Sequence, residues 1–374
     1  SIDNPPVNPL SSGVRQGLFD GVSSALADDA IEAIVLTGMH RAFIAGADIS
    51  EFGAAATEGV GLGEALDKME GSTKPIIAAI NGTAFGGGLE VALCCDYRIA
   101  AAAAPVGLPE VKLGLLPGAG GTQRLPRLVG AEAAVQAIVS GNPIMAPDAL
   151  TMGIVDRVAS GDIIDDAIAY AHEIIADGAA TRKVRDLEDK ISADRGNTAL
   201  FEKFAANLDK THRGQFAPAQ ILQCVEAAVN AESFDEGMAV ERARFAECMS
   251  DPQREALIHI FFAERAANKI PGLSKDVPLL DINKGSVIGA GTMGGGIAMC
   301  FANAGIPVRV HDNDPENLAR GIKVIEGNYA RTVSKGRLTQ EEMDKRMSLI
   351  IPTENFDDLG DGDIVVEAVY ENLD

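Results

Sequence analysis

Apolar residues change their spacing repeatedly along the first half of the chain. They recur every four positions from Val14 to Leu26, which predicts an amphipathic helix. They then form short continuous runs at residues 31–36 and 75–80, which predict buried strands. Because helical and strand-like segments continue to alternate, we predict an α/β domain over residues 1–180.

Between residues 181 and 268 the sequence is charged and contains no convincing strand. Residues 255–269 predict one amphipathic helix, whose apolar face would be formed by Ile258, Phe261, Phe262 and Ala266. Such a face is too large to leave in water. We therefore expect this region to pack on the preceding domain and to join it rigidly to the next one.

A new pattern begins at Gly285, after a segment with prolines at positions 271 and 278 that is typical of a linker. Residues 181–284 are therefore predicted to be a helical region with its linker. From residue 285 onward, a strand, a glycine-rich turn, a helix and a second strand follow one another. Residues 285–374 are predicted to be the first part of a nucleotide-binding domain.

The chain has 374 residues and a formal net charge of -22. This acidic balance argues against partners such as nucleic acids and anionic membranes. No apolar run approaches the ~20 residues of a membrane-spanning helix, and no signal-peptide pattern starts at Ser1. A small anionic ligand remains compatible with this charge, because a helix N-terminus can hold phosphate in an acidic protein.

The five cysteines show no spacing typical of metal ligands or of a redox motif. We interpret them as core thiols in a reducing compartment and predict no metal site. The composition and the absence of a leader pattern favour the bacterial cytoplasm. A peroxisome is the alternative, since its targeting signal would lie at a C-terminus beyond these residues.

The first candidate motif is NGTAFGGGLEVALCCD at residues 81–96. Its three glycines follow a predicted strand and open an apolar helix, so backbone N–H groups can face a developing negative charge. Glu90 lies in the first turn of this helix. It either serves in catalysis or simply complements the helix dipole.

Two further motifs extend this picture. Glu110 lies in GLPEVKLGLLPGAGG, an apolar context that is unusual for a carboxylate. Residues 42–49, AFIAGADI, form another turn of small residues after a predicted strand. Two such turns and two carboxylates suggest an oxyanion hole beside an acid/base pair.

These three motifs, in this order, resemble the enoyl-CoA hydratase (crotonase) superfamily over about residues 4–180. The resemblance implies a spiral of ββα turns. It also implies an oxyanion hole formed by the N–H groups of Ala47 and Gly87. It further implies a substrate contact at Gly86 and a cation, Arg41, near the coenzyme A phosphates. An exposed Arg41 without a ligand is the alternative.

The presence of both Glu90 and Glu110 favours hydration of a 2-enoyl-CoA, in which the coenzyme A thioester is the substrate. The same pair could move a proton between Cγ and Cα, so 3-enoyl-CoA isomerisation is an alternative. A binding module for acyl-CoA or NAD, without catalysis, is a third interpretation. Acyl chain length and self-association stay open.

The last motif is SVIGAGTMGGG, with G-x-G-x-x-G at Gly289, Gly291 and Gly294. It follows a short apolar strand, and Asp312 closes the next strand 18 residues after Gly294. This context predicts a dinucleotide site that prefers NAD to NADP as its cofactor, because the carboxylate would bind the ribose hydroxyls.

GAGTMGGGIA, HDNDPENL and VVEAVYEN resemble the NAD domain of L-3-hydroxyacyl-CoA dehydrogenases. The fused order resembles the multifunctional enzymes of fatty-acid β-oxidation, and it implies a Rossmann domain that is only partly present. In that family the catalytic His/Glu pair follows beyond a position equivalent to Asp374. We therefore expect the chain to be a piece of a longer protein and assign no dehydrogenase catalysis to it.

Overall fold

The computed structural model describes residues 1–48, 59–178, 181–267, 269–274 and 276–371. Four features of the sequence analysis reach outside these ranges: Ile49 of AFIAGADI, the predicted boundary at residue 180, Asn268 of the predicted helix and the final residues 372–374. The chain forms two compact units, Ser1–Lys269 and Ile270–Asp374. Each unit has its own hydrophobic core and is described by itself.

The first six strands of the first unit alternate between two sheets, the seventh then joins the sheet of the sixth, and the eighth returns to the other sheet. The strands are β1 (Ile34–Thr37), β2 (Ala42–Ile44), β3 (Ile76–Ile80), β4 (Thr83–Phe85), β5 (Tyr97–Ala100), β6 (Pro105–Gly107), β7 (Ile144–Met145) and β8 (Arg157–Val158). One sheet has the order β1-β3-β5-β8 and the other β2-β4-β6-β7. Every pairing is parallel except that of β6 with β7. This alternation confirms the expected ββα spiral.

Helices cover the sheets and form the second half of the unit. They are α1 (Ser12–Ala27), α2 (Leu62–Glu70), α3 (Gly87–Cys94), α4 (Gly121–Val129), α5 (Ala131–Ser140), α6 (Ala146–Met152), α7 (Ile163–Ala176), α8 (Thr198–Thr211), α9 (Ala217–Asn230), α10 (Phe234–Ser250) and α11 (Pro252–Ala267). The predicted first helix corresponds to α1, which buries Leu18 and Val22. The predicted strand at residues 31–36 begins only at Ile34, because the Ile31 N–H closes a turn onto the Asp28 carbonyl.

Strand β3 lies at the centre of the first sheet and is buried on both faces, as its unbroken apolar run predicts. Ile76, Ala78 and Ile80 belong to the main core. The residues between them, Ile77 and Ala79, belong to a smaller cluster with α7. Alternate side chains of β3 therefore pack into two different hydrophobic clusters, one on each face of the sheet.

Helices α8, α9 and α10 contribute to the same core as the sheets. Phe204, Ile221 and Cys248 belong to one cluster with Phe43 and Leu89. Burial of large apolar side chains stabilises each contact by roughly 1.5–3 kcal/mol per side chain. These helices are therefore part of the first unit and not a separate layer.

Helix α11 departs from the expectation, since none of its described residues is buried. Ile258 and Phe261 are half-buried, whereas Phe262 is 48% exposed. The partly buried apolar residues of α11 are Leu257, Ile258 and Phe261, whereas Phe262 and Ala266 are exposed. Near its start, the helix contacts Gly114, which leaves space for the Arg254 backbone and the Leu257 side chain.

The second unit is built on one parallel sheet. Its strands are β9 (Gly285–Ile288), β10 (Val308–His311), β11 (Ile350–Thr353) and β12 (Ile364–Glu367), in the order β11-β10-β9-β12. Its helices are α12 (Thr292–Asn303), α13 (Pro315–Ser334) and α14 (Gln340–Ser348). All three strand pairings are parallel, as in a Rossmann domain.

Four of the five cysteines are buried, but Cys300 is exposed, contrary to the prediction of a core thiol. It lies on α12, whose buried positions are Gly294, Gly295, Ala298 and Ala302, so residue 300 points to the other face. Within the described ranges, no helix combines the length and the apolar character needed to cross a membrane.

Replacing Ile221 by Ala tests whether α9 belongs to the core of the first unit. Ile221 is fully buried, so we predict that Ile221→Ala lowers the free energy of unfolding by about 2–5 kcal/mol. Gln223→Ala, at an exposed position of the same helix, should change it by less than about 0.5 kcal/mol. Urea denaturation of both variants measures the difference. Equal stabilities would contradict a shared core.

Candidate active site

A cavity of about 240 Å³ opens between α2, the start of α3 and α10. Four predicted residues line it together: Ala47, Gly87, Glu90 and Glu110. They come from three motifs separated by up to 63 positions. The ends of parallel strands bring them to one place, because β2, β4 and β6 are neighbours in the second sheet.

The two predicted oxyanion donors are neighbours in this cavity. Gly87 is the first residue of α3, so its N–H has no acceptor within the helix. A Cβ atom at Gly87 would lie 3.9 Å from the Ala47 nitrogen. At Gly88 a Cβ would come within 2.1 Å of the Ile44 carbonyl, so the glycine lets strand and helix approach closely. Two backbone N–H groups thus occupy one wall.

Glu110 opens a short 3-10 helix, Glu110–Leu113, directly after Pro109. Gly86 faces it in a left-handed conformation, with φ of 54°. A Cβ at Gly86 would lie 2.9 Å from Glu110 Oε1, so this position needs glycine for both its backbone angle and its space. The buried Glu110 Oε2 atom has no hydrogen-bond partner among the described residues.

Glu90 is only 3% exposed and reaches across to another helix. Its Oε1 atom accepts hydrogen bonds from the Ala119 N–H at 2.7 Å and the Gly121 N–H at 2.8 Å. These donors belong to the turn that starts α4. Glu90 therefore does more than complement the dipole of its own helix, which was the structural alternative.

The two carboxyl groups have different surroundings. Burial raises the pKa of Glu90, although the N–H groups of Ala119 and Gly121 act in the opposite direction. Burial, followed by the negative charge of Glu90, raises the pKa of Glu110 well above its usual value. Two N–H donors favour the ionised form of Glu90, whereas Glu110 has only its own backbone N–H and also feels the charge of Glu90. Glu90 is therefore suited to be the base and Glu110 the acid.

Arg124 is a buried cation that lines the cavity, and it forms an ion pair with Glu70. Arg124 Nε donates to Glu70 Oε1 at 2.7 Å, and both side chains are only 3% exposed. Arg124 Nη1 also donates to the Ala119 carbonyl at 2.9 Å. The positive charge of Arg124 is thus paired with Glu70. Arg124 still lowers the pKa of Glu90, but less than the N–H groups of Ala119 and Gly121 do.

Other predicted residues lie elsewhere, and some cavity residues were not predicted. Arg41 is exposed and is not among the residues that line the cavity. The unpredicted lining residues on α10 are Met238, Arg242 and Phe245. They could not be recognised in the sequence, because α10 alternates apolar and charged residues with no distinguishing motif. Leu62 and Leu66 of α2 complete the apolar wall.

In the second unit, the glycine turn after β9 fits a dinucleotide. Gly289 has φ of 99°, and a Cβ at Gly294 would lie 1.8 Å from the Gly289 carbonyl, so both positions require glycine. At Gly291 a Cβ would meet nothing within 4 Å, which leaves room for a pyrophosphate.

Gly291 and Asp312 line a cavity of about 400 Å³ in this unit. Asp312 Oδ2 accepts the Ala290 N–H at 2.9 Å, which places the carboxylate beside the turn. Although burial raises the pKa of Asp312, hydrogen bonds from the Ala290 and Asp314 N–H groups bring it below the usual value. An ionised carboxylate here is what a ribose diol requires.

The spiral and its cavity define a crotonase-type protein, and comparisons with known proteins agree. The family profile described as "Enoyl-CoA hydratase/isomerase" matches residues 1–221, and "3-hydroxyacyl-CoA dehydrogenase, NAD binding domain" matches residues 284–374. The chain belongs to the enoyl-CoA hydratase/isomerase family, with an NAD-binding domain fused to it. The resemblance inferred from the motifs is thereby confirmed.

Three curated relatives align with the full chain. The peroxisomal bifunctional enzymes of Cavia porcellus and Homo sapiens are 39% and 38% identical, covering 100% of this chain and 52% and 51% of the relatives. The fatty acid oxidation complex subunit alpha of Psychrobacter cryohalolentis is 34% identical, covering 100% of this chain and 53% of the relative. The chain spans about half the length of the curated relatives it matches.

Neutralising either carboxyl group tests the acid/base pair. We predict that Glu90→Gln and Glu110→Gln each lower kcat for 2-enoyl-CoA hydration by about 10²–10⁴-fold, because each removes one proton-transfer group. The affinity for a saturated acyl-CoA should stay within a few-fold, since the proposed carbonyl donors are backbone groups. Steady-state kinetics and calorimetry measure both quantities.

The matched control is Glu132→Gln, at an exposed position of α5 that lies outside the cavity. Its turnover should equal that of the unmodified protein. Turnover at the control level in Glu90→Gln or Glu110→Gln would overturn the assignment of that residue.

Proposed function

We propose that the first unit adds water to 2-enoyl-CoA and forms 3-hydroxyacyl-CoA, a step of fatty-acid β-oxidation. The observation that carries this proposal is that Glu90 and Glu110 line one cavity but differ in their hydrogen-bond partners. Glu90 accepts two N–H donors, and Glu110 Oε2 has no partner among the described residues. Syn addition needs one group that accepts a proton and one that gives a proton on the same side of the double bond.

The proposed reaction uses the two carboxyl groups and the backbone N–H groups of the cavity. The water oxygen bonds to Cβ while Glu90 accepts a water proton, and the C=C electron pair moves toward the thioester carbonyl. The enolate-like oxygen is stabilised by the N–H groups of Ala47 and Gly87, each contributing about 3 kcal/mol. Glu110 then protonates Cα. Return of the proton from Glu90 to Glu110 restores the enzyme, so one water is added overall.

Substrate binding extends this proposal to Gly86 and Arg41. Gly86 keeps the backbone close to the reacting thioester, and Arg41 would contact the coenzyme A phosphates. Arg41→Ala should therefore raise KM and leave kcat unchanged, the pattern expected for loss of uniform binding. An unchanged KM would remove Arg41 from the site and leave the proposed chemistry intact.

Isomerisation of 3-enoyl-CoA is the second candidate activity. It is favoured by the location of both carboxyl groups in one cavity, where they can serve Cα and Cγ in turn. Comparing turnover of 2-enoyl-CoA and 3-enoyl-CoA thioesters of equal length determines the balance. If both substrates bind but neither turns over, the unit is a binding module.

For the second unit, we propose that Gly289, Gly291, Gly294 and Asp312 hold NAD, which supplies a hydride acceptor when bound. The open space at Gly291 and the carboxylate of Asp312 support this assignment. In a longer protein that contains both domains, the activity would couple hydration to oxidation of the 3-hydroxyacyl product.

The proposed location is the bacterial cytoplasm, with a peroxisome as the alternative. Self-association is a further proposal, which light scattering would measure.

A polypeptide of these 374 residues should not oxidise 3-hydroxyacyl-CoA. The glycine turn and Asp312 can position a dinucleotide, but hydride transfer also needs a base for the hydroxyl proton. In the dehydrogenase family that the second unit resembles, that base lies outside the NAD-binding segment that matches residues 284–374. Absorbance at the NADH band, with calorimetry of NAD binding in parallel, is the measurement. NADH formation that Gly291→Val abolishes would show that a base exists within these residues.

A further inference from the structure

A third carboxyl group lies directly behind the proposed acid/base pair. Glu241 of α10 is fully buried, whereas Glu236, Arg242 and Glu247 on the same helix are exposed. A buried carboxylate without a hydrogen-bonded partner is costly, so its contacts must account for it. Glu241 has no salt bridge among the described residues, and its partners are backbone N–H groups and one hydroxyl.

These partners all belong to the turn that holds Glu90. Glu241 Oε1 accepts the Gly120 N–H at 2.7 Å, and Oε2 accepts the Thr122 N–H at 3.1 Å and the Thr122 hydroxyl at 2.5 Å. Glu90 accepts the N–H groups of residues 119 and 121, which alternate along the chain with residues 120 and 122. The two carboxyl groups therefore share the turn, each taking alternate N–H groups.

This arrangement fixes the turn from opposite sides. Gly120 has φ of 97°, so the backbone can direct consecutive N–H groups toward different carboxylates. The Thr122 hydroxyl accepts a hydrogen bond from Gln123 Nε2 at 2.9 Å, which leaves its own proton for Glu241. Loss of Glu241 would leave the Gly120 and Thr122 donors unpaired and allow the turn to move relative to Glu90.

Glu241 also affects the site through its charge. Burial first, and then the negative charge of Glu90, raise the pKa of Glu241 to about 8. In turn, the charge of Glu241 contributes to raising the pKa of Glu110. The titratable and charged groups that face Glu241 from the packed elements are Glu90, Glu110, Arg124 and Cys224.

We propose that Glu241 is a positioning residue of the hydration site, which holds the 119–122 turn against Glu90 and sets the pH range in which the catalytic pair works. This inference rests on the proposed hydratase function. Glu241 is not among the residues that line the cavity, so it would act through the turn and not on the substrate.

The test compares Glu241→Gln with Glu247→Gln, an exposed glutamate on the same helix. We expect Glu241→Gln to lower kcat about 10–100-fold, with KM for 2-enoyl-CoA within three-fold of the unmodified protein. The alkaline limb of the kcat–pH profile should move to lower pH, because Glu241, with a pKa of about 8, is charged mainly in that range and loss of this charge lowers the pKa of Glu110. Glu247→Gln should change neither quantity.

The variant Glu241→Asp distinguishes the effect of the charge from the effect of side-chain length. It keeps the carboxyl group but shortens the side chain, so kcat should fall while the alkaline limb stays near its original pH. If Glu241→Gln lowers kcat, raises KM and leaves the alkaline limb unmoved, the role of Glu241 is only structural and the proposal fails. Control-level kcat in Glu241→Gln also overturns it.

The parallel measurement of Glu90→Gln keeps the two proposals distinct. Loss of hydration in Glu90→Gln with normal hydration in Glu241→Gln would reject only the role of Glu241. Normal hydration in Glu90→Gln would reject the proposed function itself. Thermal unfolding of every variant verifies that the fold is retained.

Discussion

The proposed site depends on one turn, residues 119–122, where the N–H groups that start α4 face two buried carboxyl groups. Glu90 takes the N–H groups of residues 119 and 121, and Glu241 takes those of 120 and 122. A helix start can stabilise negative charge without a cation, through oriented dipoles that do not have to reorganise. Arg124 supports the turn through the Ala119 carbonyl while its charge is paired with Glu70.

The difference between Glu90 and Glu110 follows from this turn. Both carboxyl groups are buried, but Glu90 accepts two N–H groups of the turn, whereas Glu110 has only its own backbone N–H and an Oε2 atom without a partner among the described residues. Pairs of titratable groups whose environments separate their pKa values are the usual basis for distinct acid and base roles. A fold that brings three distant motifs to one sheet edge thus places the proposed donors, base and acid together.

Much of this could be predicted, because it depends on local sequence. The glycine runs, the strands before them and the spacing to Asp312 are short-range signals. They indicated Glu90 and Glu110, and the family resemblance of the motifs implied Ala47 and Gly87; these four residues line one cavity. Glu241 could not be found this way. It contacts residues about 120 positions away, and its charge resembles that of its exposed neighbours on α10.

Two expectations were wrong for related reasons. The apolar residues of α11 were expected to be buried, yet no described residue of that helix is buried. Cys300 was expected in the core, but α12 directs it to the exposed face. Apolar character indicates which residues can be buried, whereas the packing partner determines which ones are.

The proposed mechanism requires Glu110 to keep its proton to higher pH than Glu90. Carbon NMR titration of the protein labelled with ¹³C at the glutamate carboxyl, compared with Glu90→Gln and Glu110→Gln, tests this order most directly. We predict that the resonance missing from Glu110→Gln titrates at higher pH than the resonance missing from Glu90→Gln. The reverse order, or equal titration of the two groups, would contradict the mechanism.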